Sequence, residues 1–283
     1  MWRCLFRLLL LGCAAGFLLA WPSIAGDVSY VVLGRHPSGD LVRVTEDGRL
    51  QKTIASGVGG HGLTVDKSGD YILARVSSLV RVTPSGVVST IAACPTGSQW
   101  MAVAVDSSGN YIVGDNQQHA IWRVSADGTK VDRVATYPVR WPHEMEDIGV
   151  MVDDTGNYLV IEGNGFAATL WTVTPKGGVK PLPLHGAVMR SGTAIIRDGA
   201  GAYLALSFRD HAVFRITPTG DVAKFATIDG EHLMGLARNP VTGELVLTVN
   251  FEQSLRKVSA DGFSVTNFAD LGYASAILAE MEK

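Results

Sequence analysis

A short motif recurs six times along the chain, and it limits the possible folds more than any other feature. Each copy is a hydrophobic stretch ending in Val or Ile, followed by Thr or Ser, two further residues and a glycine. The glycines are Gly48, Gly86, Gly128, Gly177, Gly220 and Gly262. A spacing of 38 to 49 residues is typical of β-propeller blades, in which four-stranded sheets bury their faces against one another. Six copies therefore predict an all-β protein with six blades.

A second motif recurs in a fixed position between copies of the first. Its close copies read VDKSGDYIL, VDSSGNYIV, VDDTGNYLV and RDGAGAYLA, and ARNPVTGELVL is a looser fifth copy. The short polar residues and the glycine are those required by a tight hairpin. Residues 102–128 contain three strands, at 102–105, 111–113 and 120–124, and a fourth follows at 130–135. The blades are therefore predicted to be four-stranded and antiparallel.

The first unit has no copy of the second motif, because the chain enters directly at the strand 29–33. Residues 274–279, after the sixth unit, are β-prone and have no other blade to join. We expect them to form the inner strand of blade one. The N- and C-terminal strands would then close the ring within one blade and remove two open sheet edges.

The first 25 residues have the pattern of a secretory signal peptide. Arg3 and Arg7 precede an apolar run over 8–21, and Ser23-Ile24-Ala25 forms a small-x-small cleavage site. Cleavage after Ala25 leaves residues 26–283 as a single propeller domain that is secreted or periplasmic. Lipid attachment at Cys13 is the alternative, and the apolar residues 14–21 that follow are unusual for a tethered chain.

The rest of the composition narrows the class of partner. The formal net charge is −3 and the basic residues are scattered, so nucleic acid is not expected as a partner. No segment of the mature chain has the length and apolarity of a membrane span. Cys94 remains alone after cleavage, so ring closure must depend on strand pairing. We expect a monomer.

The two faces of the predicted ring differ in composition. With strands a to d numbered from the axis outward, the a–b and c–d turns form a lower face, and the b–c and d–a loops form an upper face. Every histidine falls in an upper-face loop: His36, His61, His119, His143, His185, His211 and His232. Propellers usually carry function on the face with variable loops, so the upper face is the predicted binding face.

Residues 103–128 resemble the NHL repeat, which implies an NHL-type six-bladed propeller. Gln118 and Ala120 depart from the family pattern, which usually has Asn and Arg there. The Arg-hydrophobic-Thr-Pro-x-Gly segments at 81–86 and 215–220 resemble streptogramin lyase. The gluconolactonase-like lactonases are related six-bladed enzymes that hold a divalent cation. Their Asn-Gly-Leu motif is replaced here at 61–63 and 234–236, so that asparagine ligand is missing.

A metal site is implied by another related family. The peptidylamidoglycolate lyases have NHL-like blades and bind zinc through three axial histidines. His61, His143 and His232 precede three different inner strands, so a ring could bring them together around one divalent ion, zinc or calcium. They stand at different offsets from their strands, and unrelated loop histidines are the alternative.

Ligand-binding candidates come mainly from the longest loop, residues 137–148, which enlarges the upper face. An aromatic, a cation and several carboxylates in one loop suit ligand contact, although a solvated insertion is the alternative. Further candidates follow b strands or precede an inner strand. The complete set is Trp100, Arg140, Trp141, Glu144, Glu146, Asp147, Glu162, Asn164 and Asn250.

The sequence thus favours an exported NHL-type propeller that binds a small molecule, peptide or protein on its histidine-bearing face. The alternative is a metal-dependent lyase, or a lactonase, which is a hydrolase. Such an enzyme would use the same face, at the mouth of the central channel.

Overall fold

In a computed structural model, six β-sheets surround a central axis. The structure describes residues 27–35, 38–138, 148–163, 166–199 and 201–281, and no helix occurs among them. The inner strand of each sheet packs against the inner strands of both neighbouring sheets, so the six form a closed ring. The predicted six-bladed β-propeller is confirmed.

Eleven strands build blades one to three, apart from the inner strand of blade one. They are β1 (Val28–Gly34), β2 (Leu41–Thr45), β3 (Leu50–Ala55), β4 (Gly62–Val65), β5 (Tyr71–Arg75), β6 (Ser78–Val82), β7 (Val88–Ala93), β8 (Trp100–Val105), β9 (Tyr111–Asp115), β10 (Ala120–Val124) and β11 (Val131–Thr136). Blade two is β4 to β7, and blade three is β8 to β11.

Blades four to six follow the same plan. Their strands are β12 (Ile148–Val152), β13 (Tyr158–Gly163), β14 (Ala168–Val173), β15 (Val179–Leu182), β16 (His185–Gly186), β17 (Gly192–Arg197), β18 (Tyr203–Ser207), β19 (Ala212–Ile216), β20 (Asp221–Thr227), β21 (Leu233–Arg238), β22 (Leu245–Val249), β23 (Ser254–Val258) and β24 (Val265–Asp270), and the C-terminal strand is β25 (Ala274–Met281). Within each blade, the first strand of the four lies nearest the axis.

The ring closes as the sequence predicted. β25 pairs antiparallel with β1, from Val28 opposite Met281 to Gly34 opposite Ala274, and so forms the inner strand of blade one. The strands of blade one are therefore ordered β25-β1-β2-β3. Both terminal strands lie in one sheet, where strand pairing and an ion pair between Arg43 and Glu280 hold the C-terminal strand.

Blade three is joined to blade two, and blade two to blade one, by a hydrogen-bonded contact on the lower face, which we call the lower-face latch. In blade three, the Tyr111 hydroxyl donates to Asp66 of blade two over 3.1 Å and accepts from Arg81 over 2.7 Å. The latch recurs at the closure, where the Tyr71 hydroxyl lies 3.0 Å from Glu280 of β25 and 2.6 Å from Arg43. These contacts explain why Tyr, Asp and Arg recur in the repeats.

One histidine lies away from the predicted face. His185 belongs to the connection between blades four and five, but this connection runs along the outer edge of blade five. There β16 pairs in parallel with β20, with His185 opposite Asp221 and its N–H donating to Gly220. Gly220 is a lower-face turn residue, so the prediction that His185 lies on the upper face is wrong. Blade five consequently has a fifth strand.

The core lies between blades rather than at one centre. Tyr30, Tyr71, Tyr111 and Tyr158 are among the fully buried side chains, and each occupies a b strand. Trp122 and Trp171 are buried, each in a cluster that joins two neighbouring blades. In the segments that the structure describes, no helix is long and apolar enough to cross a membrane.

Deleting residues 273–283 tests the closure. The truncation removes β25 and with it the Glu280 carboxylate that binds Tyr71 and Arg43, so blade one gains an open edge and the latch is lost. We expect loss of cooperative thermal unfolding, measured by circular dichroism. Tyr71→Phe, which removes one hydroxyl, should lower the free energy of unfolding by about 1 kcal/mol. A truncated protein that melts like the full chain would contradict the closure.

Candidate functional site

An axial channel with a volume of about 470 Å³ runs between the six inner strands. Its wall includes residues of β4, β8, β12, β17, β21 and β25 at every level from the upper to the lower face. A volume of this size falls in the range of small-molecule sites in proteins. The channel is therefore the first candidate site.

The inner strands share a register that divides the channel wall into rings. Each inner strand has an Asp, Asn or Glu at or near its lower end. Four residues before it, every blade has a glycine or an alanine. In order around the axis these are Gly62, Ala102, Gly149, Ala194, Gly235 and Ala276. A Cβ atom on Gly62 would lie 2.9 Å from the Cα of Ala102, so the backbones touch closely. We call this level the small-residue ring.

One residue above the small-residue ring lies the upper mouth of the channel. The side chains at this level, which we call the mouth ring, are His61, Met101, Ile148, Thr193, Met234 and Ser275. They combine two thioethers, two hydroxyls, one aliphatic group and one imidazole. Three of the six side chains are apolar and three are polar, and the mouth ring contains no carboxylate.

β-Bulges shape the mouth ring. Met101 is the extra residue between the Trp100–Asp115 and Ala102–Gly114 pairs, and Thr193 and Ser275 are extra residues at the equivalent places in β17 and β25. In blade six, the extra residue falls within residues 234–235. A bulge breaks the strand ladder and re-aims a side chain, and bulges are common beside active sites. Four of the six inner strands therefore turn a residue out of the ladder at one level.

Buried polar groups without a hydrogen-bond partner lie near the mouth. Ser275 is 2% exposed and its Oγ has no partner, and the same holds for the buried Oγ of Ser191, just before β17. Asn250, a predicted ligand-binding residue, is 1% exposed, and both polar atoms of its side chain lack a partner. Such groups cost about 1–3 kcal/mol each when left unsatisfied, so their position at the upper face is informative.

A histidine and a carboxylate from adjacent blades meet on the upper face. The Glu162 Oε1 atom accepts from the Trp171 indole over 2.9 Å, and Glu162 Oε2 lies 3.6 Å from His119 Nδ1 of blade three. Tyr137 stacks on Trp171 and meets His119 edge-on, with 6.0 Å between ring centroids in both contacts. Burial raises the pKa of Tyr137 well above its usual value, and the nearby Glu162 and Asp115 raise it further. Glu162, a predicted site residue, is thus held in a fixed orientation.

Asp115 shows the same use of a carboxylate in blade three. Its Oδ2 accepts from the Trp122 indole over 2.8 Å, and its Oδ1 accepts from three backbone N–H groups. All its oxygens are therefore engaged in holding the fold. Glu162 differs from Asp115 in that one of its oxygens lies beside an imidazole of the neighbouring blade.

A third cluster surrounds His232. Its ring lies between Phe208 and Phe251, with centroids 5.2 and 3.7 Å away, and Phe251 is 48% exposed. Burial lowers the pKa of His232, and the positive charge of Arg35 lowers it further. Residue 232 has φ of 56°, an unusual value for a residue other than glycine.

Backbone strain among the described residues is concentrated on the upper face. The non-glycine residues with positive φ are His119, Ser191, His211, His232 and Gln253, and all are in b–c or d–a loops. Three of them occupy the same position, directly before a c strand, which indicates a repeated turn. Ser191 and His232 are the other two, and both directly precede an inner strand. Strained residues cluster at functional sites, which supports the upper face as the functional one.

The structure separates the predicted site residues. Trp100 is fully buried in the core between blades two and three, with Leu79 and Tyr111, and is not part of the channel wall. Gly163, directly after Glu162, accommodates the next blade, because a Cβ there would lie 2.2 Å from the Cα of Ser191. Six of the predicted residues of the loop 137–148, and the residue that follows Gly163, lie outside the described residues: Arg140, Trp141, His143, Glu144, Glu146, Asp147 and Asn164.

The three-histidine metal site stays a prediction, because His143 lies outside the described residues. His61 is in the mouth ring, whereas His232 lies between two phenylalanines. Within the described ranges, no three residues of the types His, Cys, Asp and Glu are grouped so that they could hold a metal ion.

Solved structures of similar fold come from enzymes and from binding proteins. One is a nidogen/laminin complex, with 13% identity and a TM-score of 0.70 over 89% of this chain and 98% of that chain. Another is a protein of unknown function from Bacteroides caccae, with 15% identity and a TM-score of 0.70 over 90% of this chain and all of that chain. A third is virginiamycin B lyase from Staphylococcus aureus, with 18% identity and a TM-score of 0.57 over 74% and 69% of the two chains.

These identities show a shared fold and nothing finer. No protein-family profile matches the chain, and no curated protein matches it. The mouth ring was not found from the sequence. The sequence did contain the information, however, because each mouth-ring residue stands at the same distance before the Asp, Asn or Glu near the lower end of its inner strand.

The environment of His232 predicts a pH dependence of stability. Because its folded-state pKa lies below the ordinary value of 6.5, the unfolded chain takes up a proton more readily near and below that pH. Acidification from about pH 7.5 to about pH 5 should therefore lower the free energy of unfolding. The His232→Asn variant removes the titrating imidazole, and asparagine tolerates positive φ. This variant should lose less stability over the same pH range, as measured by urea denaturation.

Gln253→Asn is the matched control, since it changes an upper-face residue of positive φ that does not titrate. A His232→Asn variant with the same acid sensitivity as the unchanged protein would contradict the prediction.

Proposed function

We propose that this chain is an exported six-bladed propeller that binds a small molecule at the upper mouth of its axial channel. The observation that carries the proposal is the mouth ring. Bulges occur at one level of four inner strands around a channel of about 470 Å³, and Met101 and Met234 at that level are partly exposed. Ring curvature alone does not account for these bulges, because the inner strands of blades two and four pair regularly.

A small molecule fits this geometry better than a folded partner does. The channel is deep and enclosed by six strands, whereas protein partners usually need a broad surface of roughly 800 Å² on each side. The mouth ring combines three apolar and three polar side chains, and small-molecule sites likewise combine apolar surface with a few polar groups. A peptide end is the other ligand that such a channel could admit.

The neutral fluorophore Nile red provides a probe for the channel. Met101→Ala and Met234→Ala should each weaken its binding by roughly tenfold, because each removes apolar contact at the mouth. The melting temperature should change little, since both side chains are only partly buried. Lys67→Ala and Lys176→Ala on the lower face are matched controls and should bind like the unchanged protein. Mouth variants that bind Nile red as tightly as the controls would sink the proposal.

A lyase or lactonase is the second candidate, and the pairing of His119 with Glu162 favours it. An imidazole beside an oriented carboxylate is an arrangement used for general acid–base catalysis. Among the solved structures of similar fold, a catalytically inactive His-to-Ala variant of virginiamycin B lyase with quinupristin has 16% identity and a TM-score of 0.58 over 86% of this chain and 73% of that chain.

Metal analysis and quinupristin turnover test this second candidate. A metal-dependent enzyme should carry about one divalent ion per chain after purification, and a chelator should abolish the turnover seen by mass spectrometry. His119→Gln should reduce turnover and retain the metal, because His119 is not one of the predicted ligands. Intact quinupristin together with metal-free protein would remove the candidate.

A further inference from the structure

We infer that half of the lower face, formed by blades six, one and two, lies against a lipid bilayer, with apolar side chains at its turns inserted among the lipid headgroups. This surface is separate from the channel mouth, which would then face away from the membrane. Three observations point to it: the distribution of exposed apolar side chains, the place where the chain enters the propeller, and the pairing of the surrounding charges.

Large apolar side chains that are exposed to solvent are unevenly distributed over the lower face. In the segments that the structure describes, the lower turns and strand ends of blades three, four and five carry none. Clusters of exposed apolar side chains mark contacts with proteins or membranes. We call the half formed by blades six, one and two the apolar sector, and its exposed members are, in that order, Val241, Phe263, Leu50, Met281, Val65, Val87 and Val88.

The residue that follows the c–d turn glycine shows the same asymmetry at one equivalent position. Blades two and six have Val87 and Phe263 there, whereas blades three and five have Thr129 and Asp221. Thr129 and Asp221 form hydrogen bonds within their turns. Phe263 is 91% exposed, so its ring has almost no contact with the rest of the chain. A phenyl ring in this place contributes little to the fold and is available to a partner.

Contacts between neighbouring turns hold the apolar sector together. Asn239, in the a–b turn of blade six, donates to Glu46 in the c–d turn of blade one over 3.1 Å. Lys52 of blade one donates to the carbonyl oxygen of Pro84 in the c–d turn of blade two over 3.5 Å. The turns that carry the exposed apolar side chains are therefore neighbours on one face of the ring, and a flat surface can touch all three blades at once.

The chain enters the propeller inside the apolar sector. Val28, which begins β1, lies opposite Met281 at the lower end of blade one. The apolar run of the predicted signal peptide ends at Trp21, and the chain from Trp21 to Val28 spans at most roughly 25 Å. A signal peptide occupies the membrane during export, so the lower end of blade one is then within that distance of the bilayer. A bilayer is therefore the partner that this face meets first.

The charged side chains of the apolar sector are paired with one another. Arg49 Nη2 lies 2.7 Å from Asp47, and Lys257 Nζ lies 3.6 Å from Glu244. Arg81 is likewise paired with two carboxylates of its own blade. Anionic lipids attract clusters of basic side chains, and this pairing leaves little positive charge for them. The attraction is consequently hydrophobic, and a neutral lipid such as phosphatidylcholine should suffice.

Hydrogen–deuterium exchange of the exported protein, with and without phosphatidylcholine vesicles, tests the contact. Vesicles should slow exchange at least roughly twofold in the c–d turns at 83–88 and 259–264, because these turns leave the solvent. The equivalent turns at 125–130 and 217–222, in blades three and five, should exchange as they do without vesicles. Sodium chloride at about 0.5 M should not reverse the protection. Protection of all four turns, of none, or only at low salt would overturn the inference.

A double variant identifies the side chains responsible. Val87→Ser combined with Phe263→Ser should require at least roughly tenfold more lipid for the same protection, because the bilayer loses two apolar side chains. Phe166→Ser is the matched control, since Phe166 is 70% exposed on the upper face and should leave the protection unchanged. Both proteins should melt near the temperature of the unchanged protein. Equal protection of the double variant and the control would contradict the inference.

A second copy of the chain is the other occupant that the apolar sector admits. Size-exclusion chromatography with light scattering, without vesicles, should show a monomer. A dimer that the double variant converts to a monomer, with the turns at 83–88 and 259–264 protected in the absence of lipid, would assign the apolar sector to a subunit contact and overturn the inference.

Discussion

Hydrogen bonds on the lower face hold blade three to blade two and blade two to blade one, and the ring depends on such contacts between neighbours. A buried tyrosine hydroxyl reaches a carboxylate of the preceding blade and an arginine beside it, as Tyr111 reaches Asp66 and Arg81. At the closure, Glu280 of the C-terminal strand takes the carboxylate position, and burial with the Glu280 charge raises the pKa of Tyr71 to about 12. The phenol therefore stays protonated and remains a donor. The contact between Tyr71 and the C-terminal strand is thus of the same kind as the contact between Tyr111 and Asp66.

A rigid lower face allows the upper face to vary. The inner strands start from a common register at the lower turns, and four of them add one residue before reaching the upper surface. The channel mouth, the His119–Glu162 pair and the unsatisfied Ser275 all lie at or beyond that level. The proposed binding site and the lower-face latch thus lie at opposite ends of the inner strands.

The repeats were sufficient to predict the fold, because turn glycines and tyrosines recur at a period that the sequence displays directly. The inner strand at 274–279 could be predicted for the same reason, as the one strand missing from the pattern. The site was harder. A bulge adds one residue to a strand without changing its composition, so Met101, Thr193 and Ser275 carry no local sign of their position. His119 and Glu162 come from different blades, and His185 leaves the expected face through a two-residue parallel pairing that no periodic signal marks.

The small-residue ring has a symmetry that the blade count conceals. Glycine and alanine alternate around the axis, and a Cβ atom on Gly62, Gly149 or Gly235 would lie 2.8–3.0 Å from the Cα of the alanine in the next blade. Each of these three glycines therefore lets the inner strand of its blade lie directly against the backbone of the next blade. A side chain larger than hydrogen at any of the three would force two neighbouring inner strands apart, so three positions around the axis fix how closely the ring can close.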